Sequence, residues 1–588
     1  MRRTTAILIA AAAVLAACLA EQENTPPTPA GDAPQITYVA NGGFLLEHGG
    51  KKVLIDALFE AGAGAFLAPP QESLGQLAEA RGPFANVDLL LVTHSHTDHF
   101  SPKLAAAYLR NNTRCQLIAH KQVVDLSRRE EGFAQIRDRV HEVNLEPGAH
   151  ERLTVNGIAV DVLCLAHSPY YVNGHDVNEQ ERNLAFIVDL DRTRFLHLGD
   201  ATVENSMAHL SGFPFDTTPI DVLFLGYLDR SPAARQFIGR KIKPSRIIAM
   251  HVPPAQLAEE LQNMRRAYPY AVVFKQSMER RSLRIEIDFR NLRGDYLGQT
   301  PPGATPQEFA RGIVSTYDQE HSAPAFSPDG NEVFWTMNRL PGPDNEKPFN
   351  SVMTMQRENG RWSAPYVSPF VGMLVFSADG RRVYYSSNRP HPGAAVQENQ
   401  KEDIWVAERR GHDWSEPKCL NLVARSPEVR FAAGPTIARN GTLYFMGYAS
   451  GLQANVGIFR AELMGGEYSK PELLPRRINL PPFLNWTPFI APDESYLLFS
   501  SNRRDPDHDA GDLYISRRLA DGSWTEPVSL GEPVNSSRQE RLPGVSPDGK
   551  YLFFARDMPG RDDDVYWVSA ASVSVLRPLT GPAKKSPK

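Results

Sequence analysis

Cysteine is scarce in this chain, four in 588 residues, so no disulfide framework holds the fold. Apart from Cys18 there are Cys115, Cys164 and Cys419, an odd number that cannot all pair within the chain. A Cys115–Cys164 bridge is conceivable, and small buried thiols are the simpler reading. Basic runs are also missing. A net charge of −5 gives no standing attraction to nucleic acid, which is excluded as a partner. The apolar run from Ala6 to Ala17 is too short to span a bilayer as a helix. What is present is 42% hydrophobic residues in a chain longer than one domain, enough to fill two cores.

The short apolar run follows Met1-Arg2-Arg3, the charged start of a secretory signal. It ends Leu15-Ala16-Ala17-Cys18, which resembles the bacterial lipobox, where the cysteine is diacylated and begins the mature chain. An ordinary cleavage site nearby is the alternative. Leu19 rather than Asp after Cys18 points to the outer membrane in a cell with two. Residues 1–18 are thus expected as a lipoprotein signal, and 19–34, rich in Pro, Thr and Glu, as a flexible tether. The implied location is the cell envelope, with the lipid at Cys18 as the membrane contact.

The densest chemistry lies in His94-Ser95-His96-Thr97-Asp98-His99, which follows the apolar stretch Val87-Asp88-Leu89-Leu90-Leu91-Val92-Thr93. That stretch reads as a buried strand. Residues two apart on a strand share a side, so His94 and His96 can reach one metal ion together. Asp98 and His99 fall on the turn toward a helix beginning near Pro102, placed for a second ion. Imidazoles with a carboxylate are a ligand set that zinc takes.

This HxHxDH run is the signature of the metallo-β-lactamase fold, and the resemblance extends over residues 35–291. Ile36-Thr37-Tyr38-Val39, Gly43-Phe44-Leu45-Leu46 and Val53-Leu54-Ile55-Asp56 match its opening strands and their closing aspartate. His167 follows the strand Val160 to Ala166, Asp200 closes Phe195-Leu196-His197-Leu198-Gly199-Asp200, and His251 follows Ile247-Ile248-Ala249-Met250. The resemblance implies an αββα sandwich and a hydrolase. It implies that His94, His96 and His167 hold one ion and that Asp98, His99 and His251 hold the other. Asp200 would bridge both, and Asp56 would orient a ligand imidazole by a hydrogen bond. Two ions about 3.5–4 Å apart can activate water near neutral pH and stabilise attacked and leaving oxygens. With histidine at position 96 the implied cofactor is two divalent ions, zinc first, manganese and iron remaining compatible.

Eleven of the sixteen histidines lie outside this set. His175 sits in the polar stretch Tyr171-Val172-Asn173-Gly174-His175-Asp176. With Tyr170 and Tyr171 it reads either as pocket wall or as surface loop, and it is a candidate partner for a leaving group. Asp98 is the candidate for steering the attacking water. His197 is expected to pack or hydrogen-bond rather than to ligate. The segment Tyr38 to Phe44 and the plain Ala166-His167 look most like the UlaG-like branch of the fold.

From about Asp295 the texture changes to short strands between Gly, Pro, Asn and Asp. Phe326-Ser327-Pro328-Asp329-Gly330 recurs around Asp379, Asn440, Asp493 and Asp548, at steps of 50, 61, 53 and 55. Trp362-Ser363-Ala364-Pro365 recurs at Trp414, Tyr468 and Trp524. Such self-similarity marks propeller blades. The repeats resemble the WD-like units of TolB-type β-propellers over residues 295–579, leaving 580–588 as a tail. Five units are countable, with a sixth blade available if Gly312-Ile313-Val314-Ser315 and the C-terminal strands close the ring together. Residues 503–512 are weakly similar to a calcium loop, but an acidic loop between blades explains them more simply. The overall expectation is α/β followed by all-β.

Two functions of different class follow. The first is a metal-dependent hydrolase acting on an ester, lactone, amide or phosphodiester bond of a small-molecule or envelope-derived substrate, with the propeller as binding or scaffolding module. The second is a non-enzymatic envelope protein whose propeller binds a protein or glycan partner. The loops Ala61–Arg81 and Ser168–Arg182 carry no readable substrate code.

Overall fold

The computed structural model describes residues 33–60, 66–283, 287, 289–316, 319–320, 322–339, 349–389, 402–411, 413–426, 428–449, 456–504, 511–558 and 561–577. The signal, Cys18, most of the tether, the centre of the weakly calcium-like loop and the tail lie outside them. Among the described residues, no helix is long and apolar enough to cross a membrane. By internal contacts the chain divides into two units. One comprises 1–201, 253–255 and 274–285; the other comprises 202–252, 256–273 and 286–588.

In the first unit the near-continuous apolar runs form sheet interiors, as runs buried on both faces do. One sheet has the order Glu279–Ser282, Gln35–Ala40, Gly43–His48, Lys51–Ile55, Leu89–Val92, Gln116–His120, Val140–Val143. It is antiparallel up to Lys51–Ile55 and parallel beyond. One face of this sheet packs on helices Gln71–Ala78, Pro102–Asn111 and Lys121–Ser127 through Leu77, Leu104, Tyr108, Leu109 and Val123. Pro102 sits in the first turn of its helix, and the Ser101 hydroxyl accepts from Leu104 N, a start that costs no hydrogen bond. A second, antiparallel group of strands runs His150–Val155, Ile158–Ala166, Arg182–Leu190 and Thr193–His197. Leu184 N donates to Thr93 O at 2.8 Å, fastening this group to the strand that carries the histidine run. Cys115 and Cys164 are free buried thiols, and burial pushes both up to about 12. The conceivable bridge between them is not formed.

The second unit opens with parallel strands Val222–Gly226, Arg246–Met250 and Val272–Val273 and helices Val203–Ser211, Pro232–Phe237 and Leu257–Ala267. It continues as a five-blade β-propeller. The second, third and fourth blades run from Leu374 to Cys419, Val429 to Leu473 and Asn485 to Ser529. The first is built on Glu332–Arg339 and Phe349–Glu358, the fifth on Tyr551–Met558 and Arg561–Ser569. Gln307–Glu308 pairs antiparallel with Arg561–Ser569, opposite Trp567 and Tyr566. This strand from before the first blade closes the ring on the last.

Among the described residues no sixth blade forms. Gly312 N donates to Ser315 O in a tight turn, and the Ser315 hydroxyl exchanges hydrogen bonds with the Val565 backbone. Those four residues cap an existing blade and add no strand to the ring.

The repeats now have physical roles. In the turns at Asp329, Asp379, Asp493 and Asp548 the carboxylate accepts the backbone N–H two residues on, an Asx turn. In the second element Ser363, Ser415, Ser469 and Thr525 each accept the backbone N–H of Gln356, Glu408, Glu462 and Arg517.

One buried acid in this unit is out of balance. Asp229 is 2% exposed; its Oδ1 accepts from Val203 N, the first residue of helix Val203–Ser211, at 2.8 Å. Burial pushes its carboxyl up to about 7, against the hydrogen bonds from the Val203 and Glu204 backbone. A carboxyl raised in the fold is protonated there over a window where the unfolded chain is not, so its contribution is full below about pH 4 and is lost as pH rises through about 7. Asp229→Asn is therefore expected to flatten the fall in stability across that window and to gain roughly 1–3 kcal/mol at pH 8. Thermal melts of both proteins from pH 4 to pH 8 check this; parallel curves would contradict it.

Candidate metal centre

The centre is assembled where several strands of the first unit end. Asp56 closes Lys51–Ile55 with a left-handed backbone (φ 45°), and its N–H donates to Leu91 O at 3.0 Å. That bond sets it beside the histidine run. Its carboxylate accepts from Thr93 N at 2.8 Å, from the Thr93 hydroxyl at 2.6 Å and from His99 Nδ1 at 3.0 Å. All of this is out of water: Asp56, His94 and His99 are 0% exposed.

The tautomers follow from these bonds. Thr93 gives its only proton to Asp56, so at 2.9 Å from His94 Nδ1 it accepts a proton from that ring. His94 Nε2 is left with its lone pair, buried and without a hydrogen-bond partner among the described residues. His167, after the strand Ile158–Ala166, repeats the pattern: Nδ1 donates to Ser168 O at 2.8 Å, the Asn178 amide lies 3.0 Å away, and Nε2 is buried without a partner. His96 stands between them, its ring centroid 4.7 Å from both.

Asp200 faces these rings from the far strand ending. Gly199, at φ 59°, makes the turn; a Cβ there would lie 2.3 Å from Asn183 Oδ1. The same Asn183 Oδ1 accepts from Asp200 N, and its amide donates to Leu198 O. Asp200 Oδ2 is 3.6 Å from His167 Nε2 and 3.8 Å from His94 Nε2, while Oδ1 is 3.1 Å from His99 Nε2.

One donor atom each from His94, His96, His167 and Asp200 lies within 4.8 Å of the others. Two buried lone pairs with nothing to accept from are costly in a fold, and three imidazoles with a carboxylate are a set that a divalent cation satisfies. These residues fit a metal ion. Electrostatics agree. Burial, together with the neighbouring imidazoles, holds His94 well below the usual range, and burial also lowers His167. Burial opposes charge on His99 too, but Asp200 and Asp56 outweigh it and hold that ring well above the usual range.

The other sequence candidates fall as follows. Asp98 is 6% exposed and receives the Asn41 amide at 3.1 Å on Oδ2. His251 belongs to the second unit, where it follows Arg246–Met250 with a left-handed backbone (φ 59°). His175 is exposed on a short hairpin, Tyr171–Val172 against His175–Asp176. His197 uses both nitrogens structurally, toward Gly42 O at 2.8 Å and from Gly199 N at 3.1 Å. Thr93, Asn41, Asn183 and Asn178 were not singled out in the sequence. Glu181, whose carboxylate takes the Ser95 N–H and hydroxyl, was not either. The Asn41-Gly42 pair, a turn signal in the sequence, was the one available sign, and Asn41 is left-handed in the structure.

Residues 51–272 match the model of the beta-lactamase superfamily domain. This part of the chain has the metallo-β-lactamase fold, and its similarity to metal-dependent hydrolases supports a hydrolase. A UPF0173 metal-dependent hydrolase of Thermococcus kodakarensis is 24% identical over 237 residues, 39% of this chain and 91% of the relative. One from Pyrococcus abyssi is 25% identical over 221 residues, 37% and 84% of the two chains. Among solved structures, a metallo hydrolase from Ignicoccus hospitalis is 14% identical with a TM-score of 0.28, covering 43% of this chain and 100% of its own.

Thr93→Val keeps the shape and deletes the hydroxyl, leaving the His94 Nδ1 proton and Asp56 Oδ2 without their shared partner. Metal affinity is expected to fall about 10–100-fold, with a stability loss of roughly 1–3 kcal/mol. Competition with a chromogenic chelator measures the first and urea unfolding the second. Unchanged affinity would show that this hydroxyl does not set the tautomer.

Proposed function

We propose that the superfamily domain is a binuclear metallohydrolase that turns water against an ester, lactone, amide or phosphodiester bond of a small or envelope-derived molecule. The observation that carries the reading is the pair of buried, partnerless Nε2 atoms on His94 and His167, 3.8 and 3.6 Å from one oxygen of Asp200, with His96 in the same group of donors. His94, His96, His167 and Asp200 would hold the first ion. The other Asp200 oxygen is turned to His99, which supports a shared carboxylate with Asp98 and His99 toward a second ion. His251 completes this set by its place in the motif order. Zinc suits the donors, and manganese or iron remain compatible. When bound, such ions lower the pKa of water and polarise the bond under attack.

The protein's own groups do the rest. Asp56 and Thr93 fix ring orientation, so the lone pairs point inward with no reorganisation at the moment of reaction. Asp98, held by Asn41, is the candidate to accept and steer a proton. His175 is the candidate to protonate a leaving group, and His175→Ala reads that role as a loss of turnover without loss of metal.

Elemental analysis of full-length protein prepared without chelator should find up to two transition-metal ions per chain. His96→Ala and Asp200→Ala should lower that number. A screen across lactones, phosphodiesters and β-lactams should reveal at least one metal-dependent hydrolysis, with Asp98→Asn slower by roughly 10²–10⁴-fold. Metal-loaded protein with no hydrolysis of any class would favour the binding-protein reading instead.

Export with a lipid on Cys18 is a separate part of the proposal, supported by the Leu15-Ala16-Ala17-Cys18 run. A palmitate analogue should label the wild type in cells and spare Cys18→Ser. Equal labelling or equal release would leave Cys18 as the end of an ordinary signal.

A further inference from the structure

All five blades contribute to two chambers on the propeller axis. One, of about 310 Å³, is lined largely by proline and apolar side chains, including Pro324, Leu374, Pro488 and Pro543. The other, of about 270 Å³, is different in kind. Its wall carries Asn338, Asn350, Glu402, Trp486 and Arg541. The two chambers share Met373, Thr487 and Leu542, which form a waist between them.

The waist is built under strain. In the third, fourth and fifth blades the innermost strand is bulged, and the residue at each bulge is left-handed: Gly434 at φ 58°, Thr487 at 47° and Leu542 at 57°. Glycine adopts this freely. A β-branched threonine and a leucine do not, and such outliers gather at ligand clamps. Here the strain is secured by Ser500, whose hydroxyl pairs with Thr487 Oγ1 at 2.8 Å and accepts from Leu542 N at 3.2 Å. The turns and blade packing that account for the repeated Asp and Trp residues do not require this arrangement.

Among the described residues two charged side chains line the polar chamber, Arg541 and Glu402. Arg541 is paired with Asp563, so its guanidinium does not stand as an anion site. Glu402 is the one further carboxyl in the described lining, and burial pushes it up; one carboxyl among amides and hydroxyls is not the oxygen cage that a cation takes. What remains is a mixture of donors and acceptors beside an indole. The Asn350 amide donates to Asn338 Oδ1 at 2.6 Å, so this pair presents the Asn338 amide protons and the Asn350 oxygen together. A cavity near the lower bound of small-ligand sites, with several polar side chains and one indole in its wall, selects size and hydrogen-bonding pattern more than charge.

We infer that this axial chamber is a binding site for a neutral polyhydroxylated ligand, a monosaccharide or the end unit of a glycan. Hydroxyls would exchange hydrogen bonds with Glu402, Asn338 and Asn350, and a C–H face of the ring would lie on Trp486. The inference is independent of the metal centre and of the reaction there.

Ligand-observed saturation-transfer NMR on the full-length protein tests it, with glucose, galactose, arabinose and N-acetylglucosamine as probes and with citrate and spermidine as charged comparators. At least one sugar should bind, and the charged comparators should not. Glu402→Gln and Trp486→Ala should each weaken that sugar about tenfold or more, roughly 1.4 kcal/mol. Gly511→Ala provides a third variant, because its Cβ would lie 3.0 Å from Trp486 Cζ2 and displace the indole. Metal content and melting temperature, read alongside, should match the wild type in Glu402→Gln, which keeps the side chain's shape even if a tryptophan variant folds poorly. No sugar bound by the wild type, equal binding by Glu402→Gln, or citrate or spermidine bound in a sugar's place would overturn the inference.

Discussion

A carboxylate with no access to water organises the first unit. Asp56 accepts three hydrogen bonds, two from Thr93 and one from His99, and burying an ionised acid is tolerable only when it is satisfied in this way. The arrangement ties a strand end, the residue that precedes the histidine run and one of the candidate ligands into one unit. Removing any of them leaves a buried charge or a buried proton unmatched. The rigidity that a metal centre needs is thus a by-product of a burial problem solved locally.

Much of this was legible in the sequence, and the part that was not has a physical reason. His94, His96, His167 and Asp200 announce themselves because ligands must be of a few residue types at strand ends, and their order survives in the linear chain. Thr93, Asn183 and Asn178 do not, because a hydroxyl or amide that orients a ligand looks like any other Thr or Asn until the strands are side by side. The propeller was readable for a related reason. Its Asp residues sit in Asx turns that each blade must repeat, so local chemistry produces a visible period. The blade count was not, since a ring is closed by a single pairing, Gln307–Glu308 on Arg561–Ser569. The two residues involved carry no repeat signature. Gly312–Ser315, which suggested a further strand, has turn geometry instead.

The two halves use buried polarity in opposite ways. In the first unit polar atoms are concentrated until some have no partner, and that surplus defines a place for a cation. In the propeller several axial groups are paired, Arg541 against Asp563 and Asn350 against Asn338, and the strain sits in the backbone of Thr487 and Leu542. A surplus of lone pairs calls for a charged partner, whereas mixed donors and acceptors in a cavity call for a neutral one. The chemistry of each site therefore differs for reasons visible in its hydrogen bonds.

The same accounting separates a ligand from a structural histidine where residue type cannot. His94, His99 and His167 each have Nδ1 committed to a hydroxyl, a carboxylate or a backbone carbonyl, which places the other nitrogen toward Asp200. His197 lies in the same buried region and fits the metal-ligand stereotype as well by type and by strand-end position. Yet its Nε2 meets Gly42 O and its Nδ1 accepts from Gly199 N. With both nitrogens used, ligation would break a backbone contact that holds the turn into Asp200. Gly199 must keep its left-handed turn for Asp200 to face the rings at all. His197 thus supports the centre by staying out of it, and its replacement would disturb Asp200 before it disturbed any imidazole.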